Sequence, residues 1–181
     1  MSTIPLNPDH GGYRELKSFQ VARLLYDVTV RFCNRYIEKH GQIHDRMVQF
    51  ARSGVENIAE GYRTAGDPKM NELKLTLEAR SYIAELRGDY EDFLFQNNLP
   101  IWPHDDWRRK SLMNRQCSSV DEVALWVLRK HKSQPSKHNP SAPAQASLPE
   151  ISANAAITLT IVACNLLDRQ ISALEKRFGT K

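Results

Sequence analysis

Apolar side chains recur every three or four residues through long stretches of this 181-residue chain. That spacing is typical of amphipathic α-helices, and the strict alternation typical of β-strands does not occur in the pattern. The pattern predicts four long helices, at residues 13–40, 44–64, 68–97 and 150–178. Gly41 and Gly179 follow two of these stretches, as expected where a helix ends. We therefore expect an all-α protein.

The first predicted helix carries more apolar surface than a single core contact requires. Its apolar residues form two neighbouring stripes: Phe19, Ala22, Tyr26, Val30, Cys33 and Ile37 in one, and Val21, Leu25, Val28, Phe32 and Tyr36 in the other. Together the stripes span roughly half of the helix circumference, whereas an arc of about 100° suffices for a surface helix. We expect either a partner subunit or residues 100–132 to cover part of this surface.

Changes in composition divide the chain into five segments. We expect an irregular leader (1–12), three helices (13–97), an insertion of shorter helices (98–132), a linker with four prolines (133–149) and a final helix (150–178). Ser119 and Glu122 predict a capping box at the start of a helix within the insertion. Short turns between successive helices favour antiparallel neighbours. The predicted fold is an antiparallel up-and-down four-helix bundle with a partly helical, partly disordered insertion before the last helix.

The second predicted helix contains two informative local features. Gly54 lies in its interior, where glycine costs about 1 kcal/mol relative to alanine. We expect this glycine to allow a neighbouring helix to approach closely. Arg52 and Glu56 are four residues apart, which predicts an ion pair on the helix surface.

Composition and cysteine usage narrow the class of protein. Hydrophobic residues make up 41% of the chain, an ordinary share for a globular protein. Cys33, Cys117 and Cys164 are too widely spaced to suggest a disulfide framework, so we expect a cytoplasmic protein. The N-terminal residues lack the charged start and apolar run of a signal peptide. The longest purely apolar stretches have only a few residues, so we expect no membrane span.

The sequence contains none of the common motifs for nucleotide, metal or nucleophile sites. Its six histidines lie mostly in loops or at predicted helix ends, where exposed polar side chains are the rule. Cys33 and Cys164 fall on or beside apolar stripes, which favours core packing over a nucleophilic role. We expect a protein that is not an enzyme and binds no cofactor or metal ion.

Positive charge is concentrated in two parts of the chain, although the net charge is only +4. Residues 13–40 contain six bases and three acids, and residues 103–138 contain eight bases and four acids. One narrow sector of the first predicted helix holds four bases: Lys17, Arg31, Arg35 and Lys39. Such a stripe can follow a phosphate backbone without reading bases. The alternative is an ordinary solvated helix face.

The second helix also contains a recognisable motif, RSGVENIAEGYR at residues 52–63. This motif resembles the signature of a four-helix-bundle family that includes the intervening-sequence proteins of 23S ribosomal RNA genes and the accessory variability protein of diversity-generating retroelements. Three more stretches are similar to the family's first, third and last helices, the last as in the subgroup with a four-helix-bundle suffix: YRELKSFQVARLLYDVTVRF, ELKLTLEARSYIAELRGDYEDFL and NAAITLTIVACNLLDRQISALEKRF.

The resemblance implies an up-and-down four-helix bundle, commonly a homopentamer. It also implies that RNA or DNA and a reverse transcriptase are possible partners. The residues that match the signature, to which we assign a structural or interface role, are Arg52, Asn57, Glu60, Gly61 and Tyr62. Asn57 and Glu60 lie off the apolar stripe, so in an oligomer they could pair across a subunit boundary. The chain departs from the compact family pattern by inserting residues 98–149.

These observations lead to one principal hypothesis and one alternative. The first is a non-enzymatic, self-associating helical-bundle protein that binds RNA or DNA through a basic surface, as an accessory factor for example to a reverse transcriptase. The alternative is a protein-interaction scaffold without a nucleic-acid role, in which Trp102, Trp107 and Trp126 of the insertion dock a protein partner. Exposed tryptophans would favour that alternative, and tryptophans buried on the bundle would favour a structural cover.

Overall fold

The computed structural model describes residues 12–65, 69–135 and 144–179, and within those ranges the chain is helical without strands. A short 3-10 helix (Gly12–Glu15) precedes six α-helices: α1 (Lys17–Tyr36), α2 (Gln42–Arg63), α3 (Lys69–Gln96), α4 (Trp107–Arg115), α5 (Val120–Lys132) and α6 (Leu148–Gly179). Most of the predicted leader, residues 1–11, and the middle of the predicted linker, residues 136–143, lie outside the described residues.

Four long helices contact one another in a ring. Helix α2 packs on α1 and α3, and α6 packs on α3 and α1. The two short helices of the insertion, α4 and α5, pack on α6, and α5 also contacts α1. As a result α6 has neighbours on every side, and residues 153–160 are all buried.

Close packing of α2 on α3 depends on two glycines. A Cβ atom at Gly54 would lie 3.0 Å from Cγ1 of Ile83, which is tighter than ordinary van der Waals contact. A Cβ atom at Gly61 would lie 3.4 Å from Cβ of Leu75. The predicted close approach at Gly54 is therefore confirmed, and Gly61 marks a second one.

The first helix is shorter than its pattern predicts, which is a correction to the sequence analysis. It ends at Tyr36, because Ile37 adopts extended backbone angles (φ −109°, ψ 147°). The left-handed residue in the following turn is His40 (φ 63°), whereas Gly41 has φ −78° and directly precedes α2. The absence of glycine and proline before Gly41 did not oblige the helix to continue, since the chain must turn before α2 can pack back on α1.

The insertion covers part of the wide apolar surface of α1. Val28 and Phe32 of α1 are buried, and they line an apolar cavity together with Val123 and Val127 of α5. The sequence left either a partner subunit or residues 100–132 to cover this surface. In the structure, α5 of the same chain occupies that position.

A buried polar network fixes the insertion to α6. The indole N–H of Trp102 donates to Glu150 (3.2 Å), and its backbone N–H donates to Oδ1 of Asn154 (2.8 Å). The Arg109 guanidinium donates to the carbonyl oxygen of Trp102 (2.6 Å) and to the hydroxyl of Thr158 (2.9 Å). All five of these residues are buried. Burial lowers the pKa of Arg109, because removal of water disfavours its charge.

Local contacts define both ends of α5 and the start of α6. The Ser119 hydroxyl accepts from the backbone N–H of Glu122 (3.2 Å), which confirms the predicted cap. The Glu122 carboxylate accepts from the backbone N–H of Ser118 (2.7 Å), one residue earlier than in the usual box. Beyond α5, the Gln134 side chain makes two hydrogen bonds with the backbone of Ala146 (2.9 and 2.6 Å). The described ends of the predicted linker are thereby held together.

Helix α6 is long and apolar enough, by length and composition alone, to cross a membrane. The short apolar stretches in the sequence led us to expect no such helix. They understate the mean hydropathy of α6, because the small residues and threonines that interrupt its apolar runs add no charge. Within the structure, 67% of the apolar window is buried against other helices. A core helix of a globular protein has the same features.

Candidate nucleic-acid interface

The four bases predicted to form one stripe do not lie together. Lys17 is exposed at the start of α1, about 21 Å along the helix axis from Arg31 at 1.5 Å per residue. Lys17 borders a groove of about 700 Å³ between α1, α4 and α6, which is separate from the cavity between α1 and α5. Lys39 is exposed in the turn after α1 and not on the helix itself. Only Arg31 and Arg35 are neighbours on successive turns of α1.

These two arginines differ in their partners. Arg31 lies 2.9 Å from the Asp121 carboxylate of α5, and both side chains are substantially exposed. Exposed pairs of this kind contribute at most about 1 kcal/mol, so an incoming phosphate can compete for the guanidinium. Arg35 lies over the ring of Tyr36, 5.7 Å from its centroid, and is exposed. Arg35 therefore presents a positive charge that the described residues do not neutralise.

The two sides of the molecule differ in how their bases are paired. Each described arginine and lysine side chain of α2 and α3 lies within 4.0 Å of a carboxylate. On α1, α4, α5 and the turn after α1, exposed bases without such a neighbour among the described residues are Lys17, Arg35, Lys39, Lys110, Arg115, Arg129 and Lys132. Arg14 of the 3-10 helix and Arg169 of α6 are also exposed without such a neighbour among the described residues. Unneutralised positive charge is therefore more frequent on α1 and the insertion than on α2 and α3.

Helix α5 lies between α1 and α4 at this side. Leu128 lines the cavity shared with Arg35 of α1, and Nζ of Lys130 lies 4.7 Å from the ring centroid of Trp107 on α4. Leu128 and Lys130 are about 200° apart around α5, so they face opposite flanks of the helix. Arg129 falls between these two directions on the outer face and is exposed.

We call this surface the basic band. It runs from α1 across α5 to α4 and consists of Arg35, Arg129, Lys132, Lys130 and Lys110. The sequence placed one member of the band, Arg35, together with its neighbour Arg31, and missed the contribution of α4 and α5. The excess of bases in residues 103–138 was the available signal, but their position beside α1 depends on tertiary packing.

The three tryptophans of the insertion have different environments. Trp102 and Trp126 are buried, 3% and 5% exposed, and their rings contact each other with centroids 6.5 Å apart. They serve as a structural cover on α6. Trp107, by contrast, is 64% exposed.

An apolar cavity of about 110 Å³ lies beneath the α1 end of the basic band. Side chains of α1, α5 and the start of α6 line it, including Phe32, Val127 and Leu148, and Arg31 and Arg35 stand among the lining residues. It contains no titratable pair that would suit acid–base chemistry.

Most residues that match the family motif make contacts within this one chain. Arg52 donates to Glu56 (2.8 Å), so the predicted ion pair is confirmed. Asn57 donates to Glu78 of α3 (3.4 Å), and Glu60 lies 3.5 Å from Arg63. Pairing of Asn57 and Glu60 across a subunit boundary is therefore not required to explain them.

Two more of these residues hold helix neighbours close. Gly61 is buried against α3, as described above. Tyr62 lies beside Gly12, where an added Cβ would come 2.7 Å from the Tyr62 hydroxyl oxygen. The motif thus joins α2 to α3 and to the 3-10 helix.

The cysteines do not form a reactive site in the part of the chain that is described. Cys33 is fully buried beside Met47, and burial raises the pKa of its thiol to about 12. Burial also raises the pKa of Cys117 and of Cys164. A thiol with a raised pKa is a weak nucleophile at neutral pH. No group of three or more histidine, cysteine, aspartate or glutamate residues suited to a metal ion occurs among the residues that were described.

Comparison with known proteins gives no match to a family model, a curated protein or a solved structure. The resemblance stated above therefore stays a prediction.

Proposed function

We propose that this chain is a non-enzymatic accessory protein that binds RNA or DNA through the basic band. In this proposal α1, α2, α3 and α6 form an antiparallel four-helix bundle, and the insertion adds α4 and α5 to its binding surface. The observation that carries the proposal is the pairing difference: the described Lys and Arg side chains of α2 and α3 are neutralised locally, whereas those of the band have no carboxylate neighbour among the described residues, and all but half-buried Lys130 are exposed. Exposed, unpaired bases are available to phosphates.

Geometry also fits backbone binding better than base readout. The band spans α1, α5 and α4, where α5 contacts α1 and meets α4 through side chains, and it presents side chains rather than one projecting helix that could enter a major groove. Binding of this type depends on charge and is expected to be weakly dependent on sequence. A reverse transcriptase or another nucleic-acid enzyme in the cytoplasm would be a suitable protein for such a factor to assist.

A salt titration tests the proposal. The affinity for an RNA or DNA oligonucleotide should fall steeply with salt concentration, because each Lys or Arg side chain that binds a phosphate releases a counterion from the nucleic acid. The triple variant Arg35→Gln/Arg129→Gln/Lys132→Gln should bind more weakly, and its log–log salt slope should be smaller by about 2–3, at about 0.7–0.9 per phosphate contact. Fluorescence anisotropy with labelled oligonucleotides provides both quantities.

The matched control removes the same charge from the opposite side. Arg52→Gln/Lys74→Gln/Arg87→Gln neutralises three exposed bases of α2 and α3 that have carboxylate partners. This variant should keep the wild-type salt slope. Equal losses in both variants would indicate a response to net charge alone, and no binding at low salt to single- or double-stranded RNA or DNA would exclude the proposal.

The protein-interaction scaffold remains the second candidate. The observation in its favour is a set of exposed apolar side chains on the insertion: Trp107, Met113, Leu125 and Leu128. Such exposed apolar groups are typical of protein contacts. Two results together would support this candidate. The chain would bind no nucleic acid in the titration above, and these side chains would become buried only when a protein partner is present.

Self-association is part of the proposal, but the structure suggests a different contact face from the apolar arc of α1. The apolar arc of α1 is largely covered by α5 and α6 of the same chain. The most exposed apolar side chain is now Phe95 at the end of α3 (81%), among the residues described. A homo-oligomer, the pentamer included, would therefore use a different face from the one suggested by the sequence.

A further inference from the structure

Trp107 at one end of the basic band is held in place and yet exposed. It is the first residue of α4, where the Asp106 side chain accepts from the backbone N–H of Arg108 (2.9 Å) and caps the helix. Nζ of Lys130 lies 4.7 Å from the centroid of the indole ring. With 64% of Trp107 exposed, a large part of the ring is open to solvent.

Basic side chains lie beside this ring on two sides. Lys130 stands over the indole from α5, and Lys110 follows Trp107 by one turn of α4 and is exposed. Arg129 on the outer face of α5 leads from there toward Arg35 on α1. Side-chain contacts join α4 to α5, and the cavity shared by α5 and α1 lies at the other end of this path.

We propose that the basic band binds single-stranded nucleic acid, with one base stacked on the indole of Trp107 and the adjoining phosphates along Lys110, Arg129 and Arg35. This inference rests on the proposed function and specifies its substrate. Proteins that bind single strands combine an aromatic face with a track of Lys and Arg side chains. The aromatic face accepts any nucleobase, since every nucleobase has a π-face. A duplex keeps its bases stacked inside, so it can use the charges and not the ring.

The distribution of tryptophans makes this contact measurable. Trp102 and Trp126 are buried, so collisional quenching and ligand-induced changes in tryptophan fluorescence report mainly on Trp107. Oligothymidylate should quench the fluorescence of the wild-type chain in a saturable manner. The duplex of oligothymidylate with oligoadenylate should bind without comparable quenching.

Substitution of the ring provides the decisive comparison. Trp107→Ala should weaken binding of oligothymidylate by roughly 5- to 150-fold, the range expected for loss of one stacked base. Binding of the duplex should be unchanged. Trp107→Phe retains an aromatic face and should recover part of the single-strand affinity. An unchanged urea midpoint for Trp107→Ala would show that the fold is intact.

Failure of this inference is distinguishable from failure of the proposed function. If Trp107→Ala binds oligothymidylate as tightly as wild type while the triple variant of the basic band does not, stacking is excluded and backbone binding stands. Tighter binding of the duplex than of the single strand, without quenching, also overturns the inference. If neither probe binds the wild-type chain at low salt, both proposals fall together.

Discussion

Arg109 is a buried cation whose described hydrogen-bond partners are carbonyl and hydroxyl oxygens rather than carboxylates. Its guanidinium donates to Pro103, Trp102 and Asn154 through their backbone carbonyl oxygens and to Thr158 through its hydroxyl. A planar group with five donors suits this enclosure, because one side chain reaches several acceptors in different directions. The cost of burying its charge is offset by hydrogen bonds that also connect the insertion to α6.

Removal of this group should destabilise the chain. Arg109→Met preserves most of the side-chain volume but removes one donor from each of four oxygens, of which the carbonyls of Asn154 and Pro103 keep a second donor. The free energy of unfolding should therefore fall by about 2–4 kcal/mol. Arg109→Lys should lose less, because an ammonium group supplies three of the donors. Urea denaturation measures both changes as a shift in midpoint at constant slope.

The neighbouring residue supplies the control for this experiment. Lys110→Met removes an exposed charge without a described partner and should change stability by no more than about 0.5 kcal/mol. Similar midpoints for Arg109→Met and Lys110→Met would mean that the network does not hold the insertion in place.

None of this network was evident at the level of single residues in the sequence. Asn154, Thr158 and Glu150 recur at four-residue spacing, which in isolation indicates a polar face exposed to water. The structure instead buries that face, because the insertion returns to α6 and supplies partners for each polar group. Contacts between residues about fifty positions apart cannot be derived from local periodicity.

At the level of elements, two interior glycines with different surroundings allow opposite predictions. Gly88 on α3 has nothing within 4 Å of an added Cβ, whereas at Gly54 on α2 the Cβ would meet buried Ile83 at 3.0 Å. Gly88→Ala should therefore raise the free energy of unfolding by about 0.5–1 kcal/mol, through helix propensity alone.

Gly54→Ala should behave in the opposite way. The gain in helix propensity is similar, but displacement of Ile83 in a packed core costs typically about 1–3 kcal/mol, so a net loss is expected. Thermal or urea unfolding of the two variants side by side gives the signs directly. Stabilisation by both substitutions would show that α2 and α3 do not approach as closely as described.

Helix existence was predictable from the sequence, and helix contacts were not. Periodic apolar residues placed all four long helices, and the cap at Ser119 placed the start of α5. The end of α1 was misplaced, because Ile37 and His40 leave the helix for a turn that composition does not mark. This error matters for the candidate site, since it moves Lys39 off the helix on which the basic stripe was predicted.

For the whole molecule, the exposed large apolar side chains fall mainly in two places. One set lies on the insertion beside its basic residues, and the other, Leu77 and Phe95, lies on the outer face of α3, where each described Lys or Arg side chain has a carboxylate neighbour. Leu77 and Phe95 are eighteen residues apart, five turns at about 3.6 residues per turn, so they share one face. Small residues at Ser81, Ala84 and Gly88 leave this face flat between them.

A second copy of the chain is the occupant we expect for the α3 face, in keeping with the proposed self-association. Wild-type protein at high concentration should sediment above the single-chain mass, because burial of Phe95 (81% exposed) and Leu77 (45% exposed) in a common interface favours association. Phe95→Ser/Leu77→Ser should return it to the single-chain mass. Leu125→Ser/Leu128→Ser removes two exposed apolar side chains of α5 (50% and 42% exposed) and should leave the mass distribution of the wild type unchanged. A single-chain mass for the wild type at every concentration would exclude self-association. If only the Leu125→Ser/Leu128→Ser variant lowered the mass, the interface would lie on the insertion, where it would compete with the basic band for the same surface.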